Sequence, residues 1–319
     1  MLSCLLLFGC NKTSSKDIIN KFEKKLEKSD YYTVTGKMEI ISNEEIYHYD
    51  VNVKYLKGEY YKATLINEDT NYEQIILRND DGVYVVTPSL NKSFKYQSEW
   101  PFNSSQSYIL SSLLLDLKND SNVIIEEKDG KYILQSTVNY PNNSALTSQK
   151  IIFDENINPV LVEVYNADGI VNISFKISKI DYENEIKKEI FDVNYSKCDN
   201  CSSNVSNVNE TVYPMYLPVG TKFKSEETIN TEKTKRVILS FTGDKSFTLI
   251  EEVSLLPKEF QVTSTGGELV FYENVLGNLT DTSLNWTMDG KDYYLISNDL
   301  SNEELLKVAA STSVVSISK

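Results

Sequence analysis

From residue 31 the chain alternates. Tyr32, Val34, Gly36, Met38 and Ile40 face one way, and Thr33, Thr35, Lys37 and Glu39 face the other. A period of two is the signature of a strand with one buried face. Tyr47, Tyr49, Val51, Val53 and Tyr55 repeat it on a second strand. Further strands are expected at residues 60–66, 72–78, 83–87 and 93–96. Lys57-Gly58, Asn79-Asp80-Asp81-Gly82 and residues 88–91 supply the turns. After an interruption the pattern resumes at residues 122–127, 131–139, 149–153, 160–166 and 170–180. The whole reads as one long antiparallel meander.

Two stretches switch to the helical period. At residues 14–28, Ser14 and Asp17 form a capping box, and Ile18, Ile19, Phe22 and Leu26 make one apolar stripe. Lysines and glutamates lie opposite, so this helix rests on a surface. The central helical stretch spans residues 100–117, WPFNSSQSYILSSLLLDL, with Pro101 and the Asn103-Ser104-Ser105 cluster before it as a cap. At ~100° per residue, Ile109, Leu110, Leu113, Leu114 and Leu117 fill an arc of about 140°. Ser111, Ser112 and Asp116 fall on the back. Tyr108 and Leu115 also fall there, as a second apolar ridge that something apolar should cover. Two readings stay open: further core, or a cavity between helix and sheet that accepts a lipid chain.

A long antiparallel sheet coils with its twist. Two helices cannot cover both faces. The expected fold is therefore mainly β (α+β): a curved antiparallel half-barrel with the helices on its concave face. The candidate cavity lining is Val34, Met38, Ile40, Val51 and Val53 of the sheet with Tyr108, Leu110, Leu113, Leu115 and Leu117 of the helical stretch. The domain occupies residues 11–197. Residues 198–212 shift to Asn and Ser and read as a linker. Residues 213–319 form a smaller α+β domain. Its strands are expected at 222–229, 235–242, 246–253, 260–263, 268–273, 284–288 and 292–297. A Ser301–Glu304 capping box starts its helix, with Leu305, Leu306 and Ala309 inward.

Composition removes several functions. A net charge of −14 argues against nucleic acid and disfavours an electrostatic hold on anionic lipid heads. The single histidine, His48, sits in a strand with no identifiable base or nucleophile beside it, so no catalytic set, metal site or cofactor is expected. Tyrosine, with 21 copies against 12 glycines, suits half-buried sheet surfaces. Cys198-x-x-Cys201 stands in the Asn/Ser linker with Asp199 between the thiols. That setting disfavours a reactive thiolate, and no second pair completes a zinc site. A local disulfide loop is the favoured reading in an exported chain.

The N-terminus supports export. Leu7-Phe8-Gly9-Cys10 resembles a bacterial lipobox, in which the signal peptide is cut before a cysteine that then carries a diacylglycerol. Gly9 supplies the small residue and Leu7 the apolar one. Phe8 is bulkier than usual and no Lys or Arg precedes the apolar run, which suggests a start further upstream. No later stretch reaches ~18 apolar residues, so the lipid on Cys10 is the expected anchor, outside the cytoplasm.

Several segments resemble the LolA-like lipoprotein superfamily. Asp81-Gly82-Val83-Tyr84-Val85-Val86-Thr87-Pro88 resembles a family hairpin, and Trp100-Pro101 leading to Gln106-Ser107-Tyr108-Ile109-Leu110 resembles the helix after it. Ile190-Phe191-Asp192-Val193-Asn194 resembles the close of the module. Tyr213-Pro214-Met215-Tyr216-Leu217-Pro218-Val219-Gly220 and residues 286–310 resemble the added domain of Gram-positive sporulation and germination lipoproteins. The resemblance implies an incomplete barrel whose cavity holds acyl chains or lipids. The alternative is a non-enzymatic scaffold or regulator in sporulation, germination or envelope stress. Expected partners are the membrane, a lipid or lipoprotein acyl chain, an envelope or spore protein, and a second copy in a homodimer.

Overall fold

The structure is a computed structural model that describes residues 13–42, 45–196, 210–230 and 234–314. Helix α1 (Ser15–Glu27) carries the expected capping box: Asp17 N–H donates to the Ser14 hydroxyl, and Ser14 N–H donates to the Asp17 carboxylate. Strands β1 (Tyr31–Ser42), β2 (Glu45–Leu56), β3 (Tyr60–Asn67), β4 (Glu73–Asn79), β5 (Gly82–Thr87) and β6 (Lys92–Tyr96) follow as an antiparallel meander. After helix α2 (Leu110–Asn119) a second meander runs through β7 (Ile124–Lys128), β8 (Lys131–Thr137), β9 (Leu146–Phe153), β10 (Pro159–Asn166) and β11 (Val171–Asp181).

Pairing of β1 with β11 fuses the two meanders into one sheet. The register shifts at Gly36, where a Cβ would lie 2.4 Å from the Lys176 carbonyl oxygen and 2.7 Å from the Phe175 ring. Only glycine allows that approach. The fusion puts β6 and β7 far apart in the sheet, so residues 97–123 must cross its face. Helix α2 is that crossing. Ile18 and Phe22 of α1 and Leu110, Leu113 and Leu117 of α2 join Val34, Met38, Val51 and Val53 in one core. Both helices therefore lie on the same, concave face, as the pattern required. Burial contributes about 2 kcal/mol per leucine, so about 6 kcal/mol holds α2 to the sheet.

The second half builds β12 (Val212–Pro214), β13 (Thr221–Asn230), β14 (Lys235–Gly243), β15 (Phe247–Val253), β16 (Gln261–Ser264), β17 (Glu268–Tyr272), β18 (Val275–Thr280), β19 (Ser283–Met288) and β20 (Lys291–Ile296). Helix α3 (Asn302–Ala310) starts at the expected Ser301–Glu304 box, and β21 (Thr312–Val314) pairs with β12. Seven strands form an antiparallel sheet in the order β13-β14-β15-β20-β19-β18-β17, against which α3 packs.

Two features depart from the sequence expectation. Strand β18 was not expected: it is nearly all buried, so it shows no alternation. Strand β16 does not join its own domain's sheet. It lies parallel to β6, from Gln261 opposite Lys92 to Ser264 opposite Lys95, as the twelfth strand of the first sheet. The unpaired flank of β6 gives it a ladder to complete. Of the expected linker, residues 198–209 lie outside the described residues, and Val212 already begins β12.

Candidate functional site

The second domain reaches across the first. On β17 the side chains alternate between two cores: Leu269 and Phe271 pack in the half-barrel core, Val270 and Tyr272 in their own. Leu276 of β18 joins the first pair. The Phe271 ring meets Tyr49 of β2 edge-on at 6.3 Å. Polar ties surround this contact. Lys92 and Asp292 form an ion pair at 2.6 Å, both largely shielded, the Tyr72 hydroxyl donates to the Thr287 carbonyl at 3.2 Å, and the Ser42 hydroxyl donates to Glu273.

A cavity of about 80 Å³ remains at this junction. Met38 and Ile40 of β1 form one wall, Trp100 and Tyr108 of the crossing segment another, and Phe271 and Leu276 of the β17–β18 hairpin a third. Trp100 Nε1, the Tyr108 hydroxyl, Asn103 Oδ1 and Asn172 Oδ1 are shielded there without a hydrogen-bond partner in the chain. Each such group costs about 1–3 kcal/mol if nothing fills its need. Burial pushes the Tyr108 phenol up, with Trp100 beside it acting the other way, so its O–H stays on and can donate.

The walls are held by a buried polar network. The Ser105 hydroxyl donates to Asp116 Oδ1 at 2.9 Å and accepts from Asn139 N–H at 2.8 Å. Gln149 Nε2 donates to Asp116 Oδ2 at 3.0 Å. Gln106 N–H donates to the Ser112 hydroxyl at 2.8 Å. Burial pushes the Asp116 carboxyl up to about 6, against the pull of Ser105 and Gln149. In the second domain Lys291 pairs with the buried Glu251 at 2.9 Å, and Val212 N–H donates to the same carboxylate at 3.2 Å. Burial nonetheless pushes Glu251 up.

Of the residues expected to line a cavity, Met38, Ile40 and Tyr108 do. Val34, Val51, Val53, Leu110, Leu113 and Leu117 are packed core away from it. Leu115 is 37% exposed, and the second ridge on α2 does not exist. The reason is the helix start: α2 begins at Leu110 behind an Ile109 cap, so Tyr108 is loop and out of phase with Leu115. Asp116, expected on the solvent side, is 8% exposed. Cys10, Cys198 and Cys201 lie outside the described residues. Sequence reasoning missed Trp100, Leu269, Phe271 and Leu276. Its available signal was the run Leu269-Val270-Phe271-Tyr272, apolar on both faces and so flanked by core on both sides.

His48 stands half-buried on the outer face of β2, opposite Glu39 of β1. Among the described residues no three His, Cys, Asp or Glu converge on a metal position. Among them, too, no helix is long and apolar enough to cross a membrane.

The chain is a curved antiparallel sheet with both helices on one face and an added α+β domain, the arrangement that the resemblance to LolA-like proteins implied. No family model matches the chain. Over 317 residues it is 37% identical to the sporulation protein YdcC of Bacillus subtilis, covering 98% of this chain and 94% of that protein. The chain belongs to the YdcC family of sporulation proteins. Among solved structures, the Pseudomonas aeruginosa MucA/MucB complex gives a TM-score of 0.33 at 10% identity, covering 95% of this chain and 100% of the matched one. A putative outer membrane lipoprotein-sorting protein domain from Vibrio parahaemolyticus gives 0.36 at 14%, covering 58% and 100%.

Proposed function

We propose that this chain is a lipid-anchored, extracytoplasmic scaffold or regulator in sporulation, acting through protein contacts and without catalysis. One observation carries the reading: Leu269, Phe271 and Leu276 stopper the half-barrel's hollow, and α2 fills most of the rest, leaving the junction cavity. A hollow packed mostly with the chain's own side chains favours protein contacts over the carriage of a long acyl chain. The twelve-strand sheet through β16 makes the two domains one platform. Kinship with a sporulation protein supports the setting. The Leu7-Phe8-Gly9-Cys10 segment supports a diacylglycerol on Cys10 at the outer face of the membrane.

Two measurements test it. Native mass spectrometry of protein purified without detergent is expected to give the lipidated polypeptide alone. Chromatography of gently solubilised sporulating-cell membranes is expected to elute the chain in a complex larger than one copy. A long-chain lipid retained one-to-one in the fold, or elution as a free monomer, overturns the reading.

A further inference from the structure

Helix α1 presents a face that the core does not use. Ile18 and Phe22 lock its inner side into the half-barrel. Two of its charges are engaged sideways: Lys25 donates to the Asn156 carbonyl at 2.9 Å, and Glu23 pairs with Lys118 of α2. At ~100° per residue, the exposed Lys16, Lys21, Lys24 and Lys28, with Asp17 and Glu27 between them, fill an arc of about 140°. Asp17 is turned back onto the cap at Ser14, and Glu27 also faces Lys118. A basic stripe is left, in a chain whose net charge is −14. It runs the length of the helix, about 18 Å from Lys16 to Lys28 at ~1.5 Å per residue.

The place of α1 in the chain says what meets this stripe. Ser14 follows Cys10 by four residues, so at ~3.6 Å per residue the helix starts within about 14 Å of a lipid on that thiol. That reach is not much longer than the Debye length of ~8 Å at physiological ionic strength. We propose that α1 lies lengthwise on an anionic membrane surface, its lysine stripe against the lipid heads. The proposal rests on the Cys10 anchor of the proposed function. Lysines held this close to a bilayer are drawn to anionic heads, and a lipid chain with basic residues makes a two-signal attachment. The acidic remainder of the chain is repelled by the same surface, so the stripe orients the anchored protein and does not hold it alone. A helix standing on its end would bring only Lys16 to the heads, whereas a lying one engages all four lysines. Because α1 covers the concave face, the outer face of the sheet then points away from the membrane, open to protein contacts.

Lysine footprinting of the full chain tests this. The protein is inserted through its anchor into preformed vesicles, of phosphatidylcholine alone or with one-third phosphatidylglycerol, and treated with an uncharged acetylating ester. On the anionic vesicles Lys16, Lys21, Lys24 and Lys28 are expected to react at least fivefold slower than on phosphatidylcholine. Lys222 and Lys224, exposed on β13, are expected to react equally on both. The difference is expected to vanish in ~1 M NaCl, where screening shortens to ~3 Å. Lys21→Glu combined with Lys24→Glu changes two exposed positions and is expected to restore fast reaction at Lys16 and Lys28. Slowing at Lys16 alone, equal slowing at Lys222 and Lys224, or rates unchanged between the vesicles overturns this proposal and leaves the anchor standing. A chain that carries no lipid and floats with neither vesicle overturns both.

Discussion

Asp116 is a carboxylate that the fold holds at a cost, and Asp116→Asn measures it. Its hydrogen-bond partners, the Ser105 hydroxyl and the Gln149 amide, are both neutral. It also sits in the last turns of α2, where the helix's negative end opposes a second negative charge. Burial carries its pKa from 3.8 to about 6. Two units correspond to about 3 kcal/mol. The folded pKa lies above the unfolded one, so the favourable contribution is complete below about pH 4. It drains away as pH rises to about 6, and above that the ionised side chain weighs on the fold. Asparagine keeps the shape, and Gln149 can turn its amide to accept from the new NH₂. The variant is expected to gain about 1–3 kcal/mol over wild type at pH 7.5 and little or nothing at pH 3.5. Urea unfolding of both proteins across that range gives the difference directly, since every other titrating group cancels. A difference independent of pH would refute the assignment of the cost to the Asp116 charge.

Leu276→Ala removes a stopper of the half-barrel and is expected to cost about 3 kcal/mol, with faster amide exchange in β1 as well as β18. Exchange confined to the second domain would show that the hairpin does not brace the first. Lys291→Met strands the buried Glu251 and is expected to cost about 3–5 kcal/mol at pH 7, while adding Glu251→Gln recovers most of that loss; urea unfolding reads both. Cys10→Ala is expected to move the chain from the membrane fraction to the soluble one, and continued membrane retention removes the lipid anchor.

The half-barrel was legible because its inner face is written in a clean period of two. Val34, Met38 and Ile40 on β1, like Val51 and Val53 on β2, are buried while their neighbours are not. Both capping boxes were legible because Ser14–Asp17 and Ser301–Glu304 satisfy helix-end donors by local spacing alone. The start of α2 was less so. Its cap is Ile109, with no side-chain bond to mark it, and Gln106 N–H is satisfied from a distance by Ser112. Nothing in a wheel that includes Tyr108 reveals that the helix begins only at Leu110.

The junction is a different case, because it depends on a pairing between distant parts of the chain. Strand β16 reads as an ordinary short strand, and only the open flank of β6 decides where it goes. Once it docks there, β17 follows within four residues and must run between two cores. Its sequence Glu268-Leu269-Val270-Phe271-Tyr272 then becomes intelligible: a strand with one solvent face would alternate, whereas this one serves Leu269 and Phe271 to one core and Val270 and Tyr272 to the other. The same docking closes the hollow over Met38 and Ile40 and leaves the polar atoms of Trp100 and Tyr108 facing the residual space. A half-barrel standing alone would present a long apolar trough. Joined to its second domain by a shared strand, it presents a platform with a small chamber at the junction, and that difference is what favours the protein-contact reading over the carriage of a lipid.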